Sequence, residues 1–139
     1  MSVAHQATCV AIRGRGLLIE GPSGSGKSSL ALALIDRGAM LVGDDGVILA
    51  PAGDRLLARP HPNIAGRIEV RNIGLLAFPT CAEVAVSLLV LLDEAAPRFV
   101  LERERSARAG IELPLVRLWP RASVLALRAE LALQHFGNR

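Results

Sequence analysis

One segment of eight residues constrains the fold more than any other part of the sequence. It matches the phosphate-loop (P-loop) pattern G-x-x-x-x-G-K-[ST] at every fixed position. Such a loop is expected between a strand and a helix. Residues 17–20 are a short apolar run, and residues 28–37 carry apolar pairs spaced four apart, so the pattern predicts contiguous strand, loop and helix in an α/β fold. The segment comprises Gly21, Pro22, Ser23, Gly24, Ser25, Gly26, Lys27 and Ser28.

The residues of this loop indicate what it binds. Its glycines let successive N–H groups converge on an anion, and the following helix adds the positive end of its dipole. Lys27, the only lysine among 16 cationic residues, is expected to reach the terminal phosphates, and the Ser28 hydroxyl to ligate magnesium. A Gly-Ser-rich turn that matches by chance is the alternative, which the flanking strand and helix disfavour. The loop predicts binding of a nucleoside triphosphate with Mg²⁺.

Length, composition and charge limit the rest of the molecule. The 139 residues suit a single domain spanning 1–139, and 51% are hydrophobic but only 3% aromatic, which predicts a core of Leu, Val, Ile and Ala. The formal charge of +3 is spread along the chain, so we expect no nucleic-acid partner. The most apolar run, residues 84–92, is too short to span a bilayer, so we expect a cytoplasmic protein without a membrane partner. Cys9 and Cys81 lack metal or disulfide spacing and are interpreted as reduced core residues.

Hydrophobic periodicity predicts further strands and a second helix. Residues 84–92 are nearly all apolar and are predicted to form the central strand. A helix is predicted after residue 120, with Val124, Leu127 and Leu131 on one face. The other predicted strands are residues 8–12, 40–42, 47–50, 56–59, 68–71 and 112–116.

Acidic pairs follow two of the predicted strands. Asp44 and Asp45 end the strand after the loop's helix, and a parallel neighbour of the loop's strand would bring them beside the phosphates. A polar hairpin turn before Gly46 explains the same residues equally well. Asp93 and Glu94 end the apolar central strand in the manner of a Walker B motif and compete for the same role.

Glu69 and the histidines are weaker candidates. Glu69 lies in an otherwise apolar strand and is either a solvent-facing residue or a second metal ligand, and composition favours the solvated position. His5, His61 and His135 have no metal-ligand spacing among them. From the residues alone, neither type supports a metal site.

Taken in order, these residues resemble the catalytic domain of bacterial HPr kinase/phosphorylase, in a short form without the larger enzyme's N-terminal domain. In that family an early histidine precedes a P-loop, the helix ends in a D/K-R-G element, a strand ends in Asp-Asp, and a signature strand begins E-[IV]-R-G-[LI]-G. The resemblance covers residues 3 to about 92. The matching elements are His5, residues 21–28, Asp36-Arg37-Gly38, Asp44-Asp45 and Glu69-Val70-Arg71-Asn72-Ile73-Gly74.

The resemblance implies an α/β P-loop fold of the HPr kinase C-terminal type. It also implies an ATP- and Mg²⁺-dependent protein serine kinase with a regulatory role, whose substrate is the phosphocarrier HPr of the phosphotransferase system. The family's enzymes are hexamers, so a homo-oligomer is expected.

The resemblance also assigns roles to individual residues. Asp45 would accept the proton of the serine hydroxyl, with Asp44 and His5 assisting. Lys27 would stabilise the transferring phosphoryl group. Ser28 and Glu69 would hold Mg²⁺.

The chain differs from the family pattern in three places. His5 stands one residue before the family's histidine position, which falls at Gln6, and such a shift reverses the face of a strand unless a bulge corrects it. Asn72 replaces a glycine. Where the full-length family has an I-P-V-R-P-G-R-N loop linked to dephosphorylation, residues 113–121 offer only Arg117 and Arg121, so the reverse phosphorylase activity stays open.

Two other functions remain compatible with the sequence. A small-metabolite kinase on a related P-loop fold would close an arginine-rich lid over the phosphates, and Arg98, Arg103, Arg105 and Arg108 could supply one. A non-catalytic sensor would bind ATP without transferring phosphate to any acceptor.

Overall fold

Strands dominate the computed structural model, which describes residues 1–63 and 65–139. The strands are β1 (Val3–His5), β2 (Thr8–Ile12), β3 (Arg15–Glu20), β4 (Met40–Gly43), β5 (Val47–Ala52), β6 (Arg55–Pro60), β7 (Arg67–Val70), β8 (Gly74–Ala77), β9 (Val84–Leu92), β10 (Glu104–Arg108) and β11 (Ile111–Leu118). The helices are α1 (Lys27–Asp36) and α2 (Leu125–Phe136). The predicted mixed α/β fold is confirmed, and the P-loop motif lies between β3 and α1.

The sheet is assembled on β9. This strand pairs in parallel with β3 and β11 and antiparallel with β6, within a nine-stranded sheet ordered β1-β5-β6-β9-β3-β2-β4, with β10 attached through β11. All but two of its nine residues are buried, as expected of a strand that is covered on both faces. Because β3, β9 and β11 are parallel, their carboxyl ends meet at one edge of the sheet. That edge carries the P-loop.

Each face of the sheet has its own hydrophobic core. Leu17 and Ile19 of β3 face the core that contains α1 and α2, whereas Leu18 faces the opposite core, as alternation along a strand requires. Leu34 of α1 and Leu133 of α2 complete the helical side. No helix in the described part of the chain is both long and apolar enough to cross a membrane. The opposite core is enclosed by β5 and β6 and includes Val47, Leu49, Leu56 and Ala58.

The position of β4 differs from the prediction. We expected β4 to be a parallel neighbour of β3, but β2 lies between them and is antiparallel to both. Two strands that are each antiparallel to a common neighbour run in the same direction. The carboxyl end of β4, with Asp44 and Asp45 after it, therefore still reaches the edge that carries the P-loop.

One predicted helix face is exposed, and one predicted core residue is only half-buried. Val124, Leu127 and Leu131, predicted to share one face of the last helix, are 46%, 43% and 43% exposed. α2 has apolar residues on both sides, and it packs through the side that contains small alanines, which allow close approach to the sheet. Cys81 is only half-buried, although Cys9 lies fully within the core. The buried residues of α2 are Leu125, Ala129, Ala132 and Leu133.

A matched pair of substitutions tests the orientation of α2. Leu133→Ala should lower the free energy of unfolding by about 2–4 kcal/mol, because Leu133 is 3% exposed and its removal leaves a cavity. Leu131→Ala, at 43% exposure on the same helix, should cost less than about 1 kcal/mol. Urea unfolding measures both values. A larger cost for Leu131→Ala than for Leu133→Ala would mean that α2 packs through the other face.

Candidate active site

The P-loop leaves the first turn of α1 available to a ligand. Gly26 precedes the helix with φ of 103°, a left-handed conformation that glycine adopts without a steric penalty, and it supplies no side-chain cap to the first N–H groups. These donors and the helix dipole together favour an anion at this position.

Lys27 spans the mouth of the loop. Its Nζ donates to the carbonyl oxygen of Gly21 at 2.8 Å and to that of Pro22 at 3.1 Å. The ammonium is thereby held against the first two residues of the loop. The predicted role of Lys27 at the terminal phosphates is compatible with this position.

A hydrogen-bond network joins the P-loop serine to the acidic pair. Ser28 Oγ donates to Asp44 Oδ1 at 2.6 Å, and Thr8 Oγ1 donates to the same oxygen at 3.1 Å. Thr8 Oγ1 in turn accepts the backbone N–H of Asp45 at 3.2 Å. The fully buried Thr8 was missed by sequence reasoning because a threonine in a strand belongs to no motif. The network brings a carboxylate to the start of α1.

Asp45 differs from Asp44 in its surroundings. Its backbone has φ of 59°, in the left-handed region, and the residue is exposed. Among the described residues, none donates a hydrogen bond to its carboxylate, whereas Asp44 receives two. Asp44 is thus held by the protein, and Asp45 presents its carboxylate to solvent at the same edge.

The second acidic pair, Asp93 and Glu94, binds arginine side chains instead. Asp93 accepts from Arg117 Nη1 at 2.9 Å, and Arg121 forms an ion pair with Glu94, also at 2.9 Å. Hydrogen bonds from the Ala95 N–H and then from Arg117 lower the pKa of Asp93. Asp93, Glu94 and Arg117 line a cavity of about 540 Å³ that residues 22–25 of the P-loop also line. Of the two acidic pairs, only Asp44–Asp45 contacts the loop's serine.

Glu69 lies on the two-stranded hairpin of β7 and β8, is exposed, and makes no side-chain hydrogen bond to this network among the described residues. Over residues 1–63 and 65–139, no three His, Cys, Asp or Glu side chains are grouped so that they could hold a metal ion. Asn72, in the turn of this hairpin, has φ of 74°. Asparagine tolerates this conformation better than most residues, which explains how it replaces the family's glycine.

His5 reaches the loop's strand through Glu20, the residue that directly precedes the P-loop. His5 Nε2 lies 2.6 Å from Glu20 Oε2, and Arg108 binds both oxygens of the same carboxylate. Burial alone would raise the pKa of Glu20, but the hydrogen bonds from Arg108 and His5 outweigh it and lower the pKa below its ordinary value.

The arginines that could have formed a lid have other partners. Arg108 binds Glu20, Arg105 forms an ion pair with Glu112, and Arg103 lies over the ring of Phe136. Three of the four candidate lid arginines are therefore committed to contacts within the fold.

Removing the Thr8 hydroxyl should disturb both acids. Thr8→Val preserves the shape of the side chain but leaves the Asp45 N–H and one lone pair of Asp44 without their partner, so it should cost about 1–3 kcal/mol of stability. Thr8→Ser keeps the hydroxyl and is the control. Thermal unfolding measures the effect. Equal stability of the two variants would show that the hydroxyl is energetically unimportant.

The mixed sheet and the P-loop motif between β3 and α1 define the chain as an α/β domain of the P-loop type. The chain belongs to the HPr serine kinase C-terminal domain family, whose model matches residues 1–85. It is similar to the HPr kinase/phosphorylase of Chlorobium phaeobacteroides strain DSM 266, with 32% identity over 128 residues that cover 82% of this chain and 40% of that protein. For the HPr kinase/phosphorylase of Chloroherpeton thalassium the identity is 30% over 152 residues, covering 96% and 45%. The chain spans less than half the length of these curated relatives.

A solved structure resembles the whole fold. The HPr(Ser) kinase/phosphatase from Coxiella burnetii superposes with a TM-score of 0.83 at 28% identity, covering 95% of this chain and 94% of that one. Because this match covers 95% of the chain, it extends beyond the motifs of residues 3–92 to β10, β11 and α2.

Proposed function

We propose that the chain is an ATP- and Mg²⁺-dependent protein serine kinase that phosphorylates HPr in a regulatory role. The observation that carries the proposal is the 2.6 Å hydrogen bond from Ser28 to Asp44, since it joins the phosphate loop to the acidic pair of the family. The names of the curated relatives and of the structural neighbour support HPr as the acceptor.

The residues present suit a magnesium nucleotide. The Ser28 hydroxyl and the Asp44 carboxylate are hard oxygen ligands held within 2.6 Å of each other at the start of α1. Bound Mg²⁺ would neutralise phosphate charge during transfer. Ser28 and Asp44 would hold it, with Glu69 as the further ligand that the family resemblance implies. Lys27 and the N–H groups of the loop would bind the phosphates.

Asp45 is the proposed general base. A base must reach the proton of the acceptor hydroxyl, and Asp45 is exposed and accepts no hydrogen bond from the part of the chain that the structure describes. The fixed backbone N–H bond to Thr8 sets its position beside Asp44. Asp45 would take the proton of the HPr serine while Asp44 keeps Ser28 oriented.

Transfer of labelled γ-phosphate from Mg-ATP to purified HPr tests the proposal. Label should appear on HPr as acid-stable phosphoserine and should require Mg²⁺. An HPr variant with its acceptor serine replaced by alanine is the control. Saturable ATP binding without label on HPr would contradict the kinase function and would leave the ATP-binding sensor as the better description.

The reverse reaction is tested with the same protein. Phosphoserine-HPr is incubated with inorganic phosphate, and release of pyrophosphate would establish phosphorylase activity. Arg117 is tied to Asp93 and Glu104 in the structure, so the residue in the region of the family's dephosphorylation loop would have to exchange partners to reach a phosphoserine. Loss of the reverse activity alone would leave the kinase proposal intact.

We also propose that the chain forms a homo-oligomer. The β7–β8 hairpin exposes Ile73, Leu75 and Leu76, at 72%, 61% and 39%, and a contiguous exposed apolar patch is typical of a protein interface. Light scattering on the purified protein measures the mass in solution. A monomer at micromolar concentration would contradict this part of the proposal.

A further inference from the structure

A cluster of three polar side chains, His5, Glu20 and Arg108, lies at the edge of the sheet that carries the P-loop. Glu20 of β3 is its centre: Oε2 accepts from His5 Nε2 at 2.6 Å and from Arg108 Nε at 2.8 Å, and Oε1 accepts from Arg108 Nη2 at 2.6 Å. The Glu20 side chain is only 12% exposed. Three strands that are distant in sequence, β1, β3 and β10, are joined at this point.

Arg108 is itself fixed on the far side of the cluster. Its Nη1 donates to Ser106 Oγ at 2.6 Å and to the carbonyl oxygen of Ala107 at 2.8 Å. The guanidinium thus cannot rotate without breaking four hydrogen bonds. A fork of this kind holds a carboxylate in one plane, so both the position and the orientation of Glu20 are set.

The fixed carboxylate determines which nitrogen of His5 carries the proton. An ionised carboxylate only accepts hydrogen bonds, so Nε2 must be the donor. In a neutral imidazole the other nitrogen is then an acceptor. Nδ1 makes no hydrogen bond to any residue that the structure describes. It is therefore the nitrogen that remains available to a ligand.

His5 lies next to the acidic pair through the chain path. The segment from β1 to β2 and the segment from β4 to β5 run side by side, because His5 pairs with Val47 at one end and Cys9 with Gly43 at the other. Midway, the Asp45 N–H binds Thr8 Oγ1. His5, the last residue of β1, and Asp45, between β4 and β5, thus lie on neighbouring segments of the chain.

We propose that Glu20, held by Arg108, is a positioning residue that fixes the His5 imidazole beside Asp45 with Nδ1 facing the acceptor. The kinetic consequence of this proposal rests on the kinase function proposed above. Its geometry does not. The proposal also accounts for the histidine at position 5 instead of 6, since Glu20 supplies a partner for the shifted side chain.

The tautomer of His5 is tested without any activity. Long-range ¹⁵N–¹H spectra of the full chain, at a pH where the imidazoles are neutral, distinguish the two tautomers, and His5→Gln assigns the signal among the three histidines. Wild type should show Nε2–H. In Glu20→Gln a single carbonyl oxygen must serve three donors, so His5 should show a mixture. Nδ1–H in wild type, or an unchanged tautomer in Glu20→Gln, would overturn the proposal.

Kinetics test the consequence for transfer. Glu20→Gln should lower kcat for HPr phosphorylation by about tenfold or more, with ATP affinity unchanged, and Glu20→Asp should recover part of the loss. Glu112→Gln, which removes an exposed acid paired with Arg105, is the matched control and should have no effect. A wild-type kcat in folded Glu20→Gln would refute the positioning role. If the wild-type protein shows the Nε2–H tautomer but labels no HPr, the kinase function is refuted, and with it the kinetic role of Glu20. The geometric part of the proposal, the orientation of His5 by Glu20, would then still hold.

Discussion

Asp45→Asn should abolish transfer while leaving ATP binding intact. Asparagine has the shape of aspartate but cannot take a proton, so the rate should fall by about 100- to 10,000-fold. The Asp45 backbone N–H still binds Thr8, so the segment between β4 and β5 keeps its conformation. The measurement is single-turnover label transfer to HPr beside a nucleotide titration.

Two further substitutions are compared with Asp45→Asn. Asp44→Asn should also weaken binding of Mg-ATP, because Asp44 holds Ser28. Asp54→Asn, in the exposed turn between β5 and β6, should change neither rate nor affinity. Full transfer by Asp45→Asn would refute its assignment as the base.

Lys27→Ala should also eliminate transfer. Lys27 is the only lysine of the chain, and its ammonium binds the first residue of the loop. Loss of one preorganised donor to transition-state charge lowers the rate by about 100- to 1,000-fold. Lys27→Arg should fail as well, because a planar guanidinium does not fit where a compact ammonium sits. Label transfer measures both rates.

Folding is the necessary control for Lys27. Its two hydrogen bonds go to backbone carbonyls at a partly exposed site, so Lys27→Ala should change stability by less than about 1 kcal/mol. Arg13→Ala, in the exposed turn before β3, serves as the matched loss of a cation. Substantial activity in folded Lys27→Arg would mean that charge alone, and not shape, is required.

Local patterns predicted the parts of the molecule that depend on local sequence. The P-loop motif predicted the β3–α1 unit. The apolar run of residues 84–92 predicted the central strand, because a strand buried on both faces needs no polar residues. Asp44 was also predicted as a candidate, although the strand order assumed in that prediction was incorrect. β4 is not next to β3, and only its direction brings the acid to the loop.

Long-range pairing and burial were not predictable in the same way. Glu20 meets Arg108 across 88 residues and His5 across 15, and no pattern in one sequence connects them. α2 has apolar side chains on both sides, so periodicity alone could not choose between Leu131 and Leu133. The choice depends on the shape of the sheet surface that the helix covers.

The three-way pairing of β9 makes the active edge and the whole sheet a single cooperative unit. β3, which leads into the P-loop, and β11, which carries Arg117, are both bonded to β9. Neither can detach without exposing the buried apolar residues of β9, so local opening on this side costs nearly as much as global unfolding. Amide protons of residues 88–90 should therefore exchange only when the sheet itself opens, and conditions that open the sheet should also disrupt the P-loop edge.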